Sequence, residues 1–299
     1  MNKEASLKLS VYISQKIINE SPTINYSKQE IEKERQKYSD EQLKKLEESG
    51  LYYGDFETFY VVKQFCDKLN IWDYADNEYL SKLFKNAKRH TKEKFYNDPY
   101  LKNIKVPTVN YGNILLLNVS YEKGEFFQYD MPKLSEDIVV PKIGFFDDSV
   151  FFPSVYEGEM PWVSVIPSEI NSMQIDVDKA FGRCLVLGLG LGYYPYMISL
   201  LDSVKSITIV EISEKIITLF EKYILPQFEH KEKIKIVHAD AIEFMKTVEK
   251  DEYDYCYADI WEGQADGAEL YTQIKPHEKR LPYTRFVYWI EDEIRWYLQ

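Results

Sequence analysis

The 299-residue sequence predicts an α/β protein whose C-terminal half forms a doubly wound, mostly parallel sheet. After Pro167, short apolar stretches alternate with amphipathic ones, as in parallel strands joined by helices. The earlier chain shows helical spacing of apolar residues first and short, proline-bounded extended pieces later. We therefore predict a helical N-terminal region at 1–105, a small antiparallel β unit at 106–166, and the α/β domain at 167–299.

Local signals place the elements of the first two regions. Ser27 and Glu30 have the spacing of a capping box, in which the two side chains satisfy free backbone amides at a helix start. Gly124 separates an aliphatic stretch from an alternating one, which predicts a hairpin. The predicted helices are 7–18, 56–69 and 78–95, the hairpin strands are 113–120 and 125–131, and further extended pieces are 150–152 and 162–166.

The α/β domain is predicted from the same periodicity. After Trp261, the apolar residues between Phe286 and Leu298 recur at helical intervals, so we predict two helices there and a sheet that stops at its fourth strand. The predicted strands are 184–187, 206–210, 234–237 and 253–258, and the predicted helices between them are 177–181, 194–201, 214–223 and 241–248.

A glycine-rich turn follows the first of these strands. Gly188, Gly190 and Gly192 alternate with leucines between a buried strand and a helix. Glycines permit the tight turn and let a ligand approach the backbone, and the free amides at the helix start can bind a carboxylate. Taken alone the motif is a weak signal, because such turns also occur without a ligand.

Acidic residues follow the next three strands. Glu211 stands where a carboxylate can accept hydrogen bonds from both hydroxyls of a ribose, and Asp240 where one can reach an adenine amine. Asp259 follows the fourth strand. Because ligands of such sheets bind at the carboxyl ends of the strands, we expect these side chains to share one crevice. Asp240 has the alternative role of capping the helix that follows it.

These segments together resemble class I S-adenosylmethionine-dependent methyltransferases, and within them the spermidine-synthase-like branch. The resemblance covers 167–261 and implies a Rossmann-like fold that binds S-adenosylmethionine. The segments that carry it are Leu187-Gly-Leu-Gly-Leu-Gly192, Val210-Glu-Ile212, His238-Ala-Asp-Ala241 and Tyr257-Ala-Asp-Ile-Trp261. The predicted cofactor-binding residues are Gly188, Leu189, Gly190, Gly192, Tyr193, Glu211, Ile212, Asp240, Ala241 and Glu169.

The reaction expected from the resemblance is methyl transfer to a small molecule, with an amine as one candidate acceptor and Asp259 as the catalytic residue. Trp162, Glu169, Asn171 and Met173 are expected beside the reacting end of the cofactor or the substrate. Polyamine synthases typically carry a Gly-Gly-Gly-Asp-Gly-Gly loop and a second aspartate followed by proline, both of which differ here. Aminopropyl transfer and cofactor binding without catalysis remain alternatives.

Other functions are disfavoured by particular residues. Tyr193 stands where a nicotinamide fingerprint has glycine or alanine, and phosphate-loop, zincin and nucleophile-elbow motifs are absent from the sequence. A net charge of -12 argues against nucleic acid as a partner, and three widely spaced cysteines argue against disulfides and zinc. No apolar run approaches the roughly twenty residues of a membrane span. We expect a cytoplasmic protein with a small-molecule substrate and no metal, and leave a homo-oligomer open.

Overall fold

The computed structural model describes residues 1–298, which form two compact units. The first unit comprises Met1–Tyr96 and Ser120–Phe151, and the second comprises Asn97–Val119 and the chain from Phe152 onward. Each unit has its own core of buried apolar side chains. This division cuts across the boundaries predicted at 105 and 166, because the middle segment contributes to both units.

Helices are the main regular secondary structure of the first unit. The capping box predicted at Ser27 and Glu30 is present, with the Ser27 amide donating to the Glu30 carboxylate at 2.7 Å. The predicted helix at 78–95 is wrong in its second half, because Ala87 adopts an extended conformation and ends the helix. The helices are α1 (Lys3–Glu20), α2 (Lys28–Arg35), α3 (Asp40–Glu48), α4 (Phe56–Lys68), α5 (Asn77–Asn86) and α6 (Lys92–Tyr96).

A three-stranded sheet completes this unit, in the order β1 (Lys88–His90), β5 (Lys142–Phe146), β4 (Phe126–Asp130). The predicted hairpin across Gly124 is wrong, because β3 (Ile114–Tyr121) belongs to a different sheet and β4 pairs with β5. Gly124, at φ +73°, donates its amide to the Phe146 carbonyl and accepts from the Ile24 amide. These bonds direct the chain after β3 into the three-stranded sheet, so that it does not fold back along β3 as a hairpin.

Part of a four-stranded sheet lies in the second unit, and the strands of this sheet pair in the order β2-β3-β6-β7. Its strands are β2 (Val109–Tyr111), β3, β6 (Val150–Glu157) and β7 (Met160–Ser164), with β2 antiparallel to β3 and β6 antiparallel to β7. The extended pieces predicted at 150–152 and 162–166 therefore correspond to β6 and β7. The short helix α7 (Pro99–Asn103) precedes this sheet.

A five-stranded parallel sheet follows, which confirms the predicted Rossmann-like class. The strands are β8 (Gly182–Leu187), β9 (Val204–Glu211), β10 (Ile234–His238), β11 (Tyr255–Ala258) and β12 (Arg285–Tyr288), in the order β10-β9-β8-β11-β12. From β8 the chain first adds β9 and β10 on one side of the sheet, and it then returns to add β11 and β12 on the other side. The point where the direction reverses, between β8 and β11, is where such sheets bind ligands.

Seven α-helices of the described chain belong to this parallel sheet domain, and a π-helical turn at Phe220–Ile224 continues the third of them. The predicted helix at 177–181 is displaced, because α8 ends where that prediction began. The helices are α8 (Pro167–Val177), α9 (Tyr193–Ser199), α10 (Glu214–Leu219), α11 (Ala241–Thr247), α12 (Gln264–Ile274), α13 (His277–Arg280) and α14 (Glu291–Tyr297).

The prediction that the sheet stops at its fourth strand is wrong. Arg285–Tyr288 forms a fifth strand, parallel to β11 and at the edge of the sheet. Four residues show too little alternation to reveal a strand, and the apolar residues of β12 run directly into those of α14. Ile290, with φ +50°, marks the break between the two elements.

Cys66, Cys184 and Cys256 are free and buried. Among residues 1–298, no helix combines the length and apolar character that crossing a bilayer requires.

Candidate cofactor-binding and active site

A cavity of about 440 Å³ opens at the carboxyl ends of β8, β9 and β11. Its size lies within the usual range for small-molecule sites. Nine of the ten predicted cofactor residues line it, and so does Asp259; the exception is Gly192. The strand-end residues are thus brought together as the topology predicted.

The glycine loop is shaped by close backbone contacts. Gly188 has φ +95°, and a Cβ atom there would lie 1.9 Å from the Asp259 carbonyl oxygen. Gly192 has φ +72°, and a Cβ atom there would lie 2.3 Å from Cε2 of Phe220. Gly188 therefore allows β8 and β11 to approach each other beside the cavity, whereas Gly192 allows packing against a side chain behind the loop.

Two tyrosines hold the second half of this loop. The Tyr100 hydroxyl donates to the Leu191 carbonyl at 2.6 Å, and the Tyr193 hydroxyl donates to the Asp98 carboxylate at 2.8 Å. Within residues 1–298, the amides of Gly190 and Leu191 make no hydrogen bond, so they are available to a ligand.

Glu211 is 6 % exposed and fixed by the backbone around it. One carboxylate oxygen accepts from the Leu189 amide at 3.0 Å and the other from the Ser213 amide at 2.7 Å. Burial raises the pKa of Glu211, and these amide hydrogen bonds oppose the rise. Since a carboxylate oxygen can accept more than one hydrogen bond, both oxygens can also bind ligand hydroxyls.

Asp240 fills the capping role that was left as an alternative. Its carboxylate accepts from the Glu243 amide at 2.9 Å at the start of α11, while the side chain also lines the cavity. Ala241 follows it in the wall, and Ile212, 63 % exposed, provides an apolar surface near Asp240. Capping and ligand binding are compatible, because only one of the two oxygens is bound to the helix.

Glu169 and Asp259 line the cavity, and among residues 1–298 no hydrogen bond to either carboxyl group contributes to its pKa. Burial raises the pKa of Glu169 to about 7. Burial, and then the nearby Glu169 carboxyl, raise the pKa of Asp259 well above its usual range. Two such carboxyl groups in one cavity are suited to binding a cation and to accepting a proton.

All charged side chains in the cavity lining are acidic. No lysine, arginine or histidine of the described chain contributes to it. The acidic residues are Glu157, Glu169, Glu211, Asp240, Asp259, Glu262 and Asp266. A cavity with this lining favours a positively charged ligand.

Several lining residues were not predicted. Trp162 and Met173 line the cavity as expected, whereas Asn171 does not. The sequence analysis did not predict that Tyr257 and Trp289 line the cavity. For Tyr257, its position two residues before the strand-end Asp259 could have indicated this location. The other unpredicted wall residues include Tyr194, Asp266 and Leu270.

Residues 169–275 match the family model described as the spermine/spermidine synthase domain. The matched segment contains the glycine loop and the acidic residues from Glu169 to Asp259. The domain is therefore spermidine-synthase-like, with a fold like that of class I S-adenosylmethionine-dependent methyltransferases, as predicted. No curated protein sequence matches the chain significantly.

Solved structures similar to this chain include two enzymes. Precorrin 8W decarboxylase from Methanobacterium thermoautotrophicum aligns with a TM-score of 0.31 and 14% identity, over 41% of this chain and 62% of that one. Spermidine synthase from Thermotoga maritima aligns with a TM-score of 0.31 and 17% identity, over 42% of this chain and 45% of that one. The chain thus spans less than two thirds of either structure.

Proposed function

We propose that this protein is a transferase that moves a carbon group from S-adenosylmethionine, or a close relative of it, to an amine of a small molecule. The observation that carries the proposal is the convergence of the glycine loop, Glu211 and Asp259 on one cavity whose charged residues are all acidic. Transferases of the related families use S-adenosylmethionine or its decarboxylated form. Both molecules carry a positive sulfonium.

The residues present fit such a nucleotide. Glu211 offers free lone pairs on both carboxylate oxygens to ribose hydroxyls, and we assign adenine to Asp240 and Ile212, which both line the cavity. The free amides of Gly190 and Leu191 can donate hydrogen bonds to the carboxylate of S-adenosylmethionine. When bound, the nucleotide supplies a carbon already activated by its bond to a positively charged sulfur.

We assign to Asp259 the role of accepting a proton from the acceptor amine. An amine is protonated in water and must lose a proton before it can attack a carbon. A raised pKa makes the Asp259 carboxylate a stronger base than an exposed aspartate, and an arriving ammonium group provides the positive charge that keeps it ionised. The nitrogen–hydrogen bond breaks, the proton moves to Asp259, and the electron pair stays on nitrogen.

Methyl transfer is our first candidate, because the loop Gly188-Leu-Gly-Leu-Gly192 and the segment after Asp259 both differ from those of polyamine synthases. Aminopropyl transfer is the second candidate. It is favoured by the family match and by the lining, which offers no basic side chain to the carboxylate that S-adenosylmethionine has and its decarboxylated form lacks.

Calorimetric titration with the two nucleotides tests the proposal and separates the candidates. A methyltransferase should bind S-adenosylmethionine more tightly, and an aminopropyl transferase the decarboxylated form. Binding of neither at millimolar concentration would refute the proposed function. Binding without turnover over a panel of amines would support the non-catalytic alternative.

A further inference from the structure

The Tyr257 hydroxyl is a buried polar group of the cavity wall that the proposed cofactor contacts leave unused. Tyr257 lies on β11, Asp259 follows the end of that strand, and both residues line the cavity. It is 1 % exposed, and its hydroxyl has no hydrogen-bond partner among the described residues. Such a group is destabilising unless a ligand or water binds it.

Neighbouring tyrosines show that this lack of a partner is particular to Tyr257. The hydroxyls of Tyr194 and Tyr255 lie 2.8 Å apart, and each lies 3.2 Å from the Asp176 carbonyl oxygen. The ring of Tyr194 stacks on that of Tyr257 with centroids 3.7 Å apart and an interplanar angle of 12°. The stack fixes the Tyr257 ring, so its hydroxyl cannot turn to join the bonded pair.

We infer that the Tyr257 hydroxyl, with Glu169 and Asp259, binds a primary ammonium group of the acceptor substrate. This inference rests on the proposed function, which supplies an amine acceptor. A primary ammonium has three N–H donors, and the cavity wall holds three oxygen-bearing side chains that can accept them: the Tyr257 hydroxyl, which has no partner among the described residues, and the Glu169 and Asp259 carboxyl groups, whose pKa values are shifted by burial and not by a hydrogen bond.

The same arrangement would hold the amine after it has lost a proton. Once Asp259 has taken one proton, two N–H groups remain, and Glu169 and Tyr257 can each accept one of them. These two hydrogen bonds keep the neutral amine in the cavity beside the nucleotide side, where its nitrogen can turn toward the activated carbon. Tyr257 is therefore a specificity-determining and positioning residue that favours primary over fully substituted amines.

Titration of the full chain, saturated with S-adenosylhomocysteine, against n-butylamine and tetramethylammonium tests this inference. The first probe has N–H donors when protonated, and the second has none. Tyr257→Phe should weaken n-butylamine binding about tenfold, in line with loss of a hydrogen bond to a charged group, and leave tetramethylammonium binding unchanged. Melting should be unchanged or raised, because the variant removes an unpaired hydroxyl.

Tyr255→Phe is the matched control, because Tyr255 is absent from the cavity lining and its hydroxyl is bonded within the protein. It should lower the melting temperature and leave n-butylamine affinity unchanged. Equal n-butylamine affinity in wild type and Tyr257→Phe, with S-adenosylhomocysteine still bound, would overturn the inference alone. Equal losses for both probes would also overturn it, since they would indicate a change of shape. Failure of the wild type to bind S-adenosylhomocysteine would instead refute the proposed function.

Discussion

Replacing Glu211 by alanine tests the nucleotide site through two separate quantities. The first is folding stability. The carboxylate accepts the Leu189 and Ser213 amides at 3.0 and 2.7 Å, and the truncation leaves both donors without their partner. An unpaired buried donor costs about 1 to 3 kcal/mol, and water entering the cavity offsets part of this, so the free energy of unfolding should fall by about 2 kcal/mol.

The second quantity is nucleotide affinity. The proposed site gives the ribose two hydrogen bonds to a charged carboxylate, each contributing about 1.5 to 3 kcal/mol. Losing one weakens binding at least about tenfold, and losing both weakens it about a hundredfold or more, because each 1.4 kcal/mol is roughly a factor of ten. The affinity change should therefore exceed any change expected of an exposed acidic residue.

Calorimetric titration with S-adenosylhomocysteine, together with denaturant unfolding, measures both effects. Glu214→Ala is the matched control, since Glu214 is an exposed glutamate at the start of α10 and does not line the cavity. It should alter stability by less than about 1 kcal/mol and affinity not at all. A folded Glu211→Ala variant with wild-type affinity would show that Glu211 only supports the backbone.

Three further predictions concern chemistry, pH and the loop. Asp259→Asn should lower the turnover of an amine acceptor about a hundredfold or more, while the affinity for S-adenosylhomocysteine stays the same. Full turnover of this variant in steady-state kinetics would show that Asp259 does not accept the proton of the amine. Because the pKa of Glu169 rises from 4.5 to about 7, the folded protein binds this proton more tightly than the unfolded chain, so stability falls as the pH rises between those values. Glu169→Gln should remove that fall and raise the free energy of unfolding at pH 8 by up to about 3 kcal/mol, with no gain at pH 4. If the free energy of unfolding of the two proteins changed with pH in the same way across this range, Glu169 would not be the group responsible. Gly188→Ala should destabilise the protein by about 3 kcal/mol, since its Cβ would lie 1.9 Å from a backbone oxygen, and a variant with wild-type melting would contradict this contact.

The strands that carry the site could be predicted because their signals are local. Cys184 to Leu187 is apolar on both faces and runs into glycines, which is typical of an inner parallel strand followed by a tight turn. Glu211, Asp240 and Asp259 each stand directly after a strand, so parallel pairing alone brings them to one edge. Their convergence needed no knowledge of packing.

Features that depend on distant partners could not be predicted in this way. The strand after Gly124 pairs with a segment further along the chain, and nothing in its own alternation distinguishes that partner from the preceding strand. β12 is recognisable only through its register with β11. The position of Gly192 outside the cavity lining could not be predicted for a related reason: whether a glycine lies beside a cavity or beside a side chain such as Phe220 depends on the packing behind the loop.

Roles of individual polar groups were the hardest to foresee. The helix cap formed by Asp240 could be predicted, since a strand-end aspartate directly before a helix is a typical N-cap, while its ligand-binding role stays a prediction. The unpaired Tyr257 hydroxyl has no signal of its own, because whether a buried hydroxyl finds a partner depends on where Tyr194, Tyr255 and the Asp176 carbonyl lie.

At Gly188, the backbone of the proposed nucleotide-binding loop is in close contact with the carbonyl of Asp259, the proposed proton acceptor. No atom can be inserted between the loop that would hold the nucleotide and the strand end that would handle the proton. A displacement of either backbone toward the other must move both, and we expect occupancy of the acceptor side and of the nucleotide side to be coupled, with each ligand changing the affinity of the other by the same factor. Redesign of acceptor selectivity is best confined to side chains such as Trp162 and Trp289, which can change while the backbone at 259 stays in place.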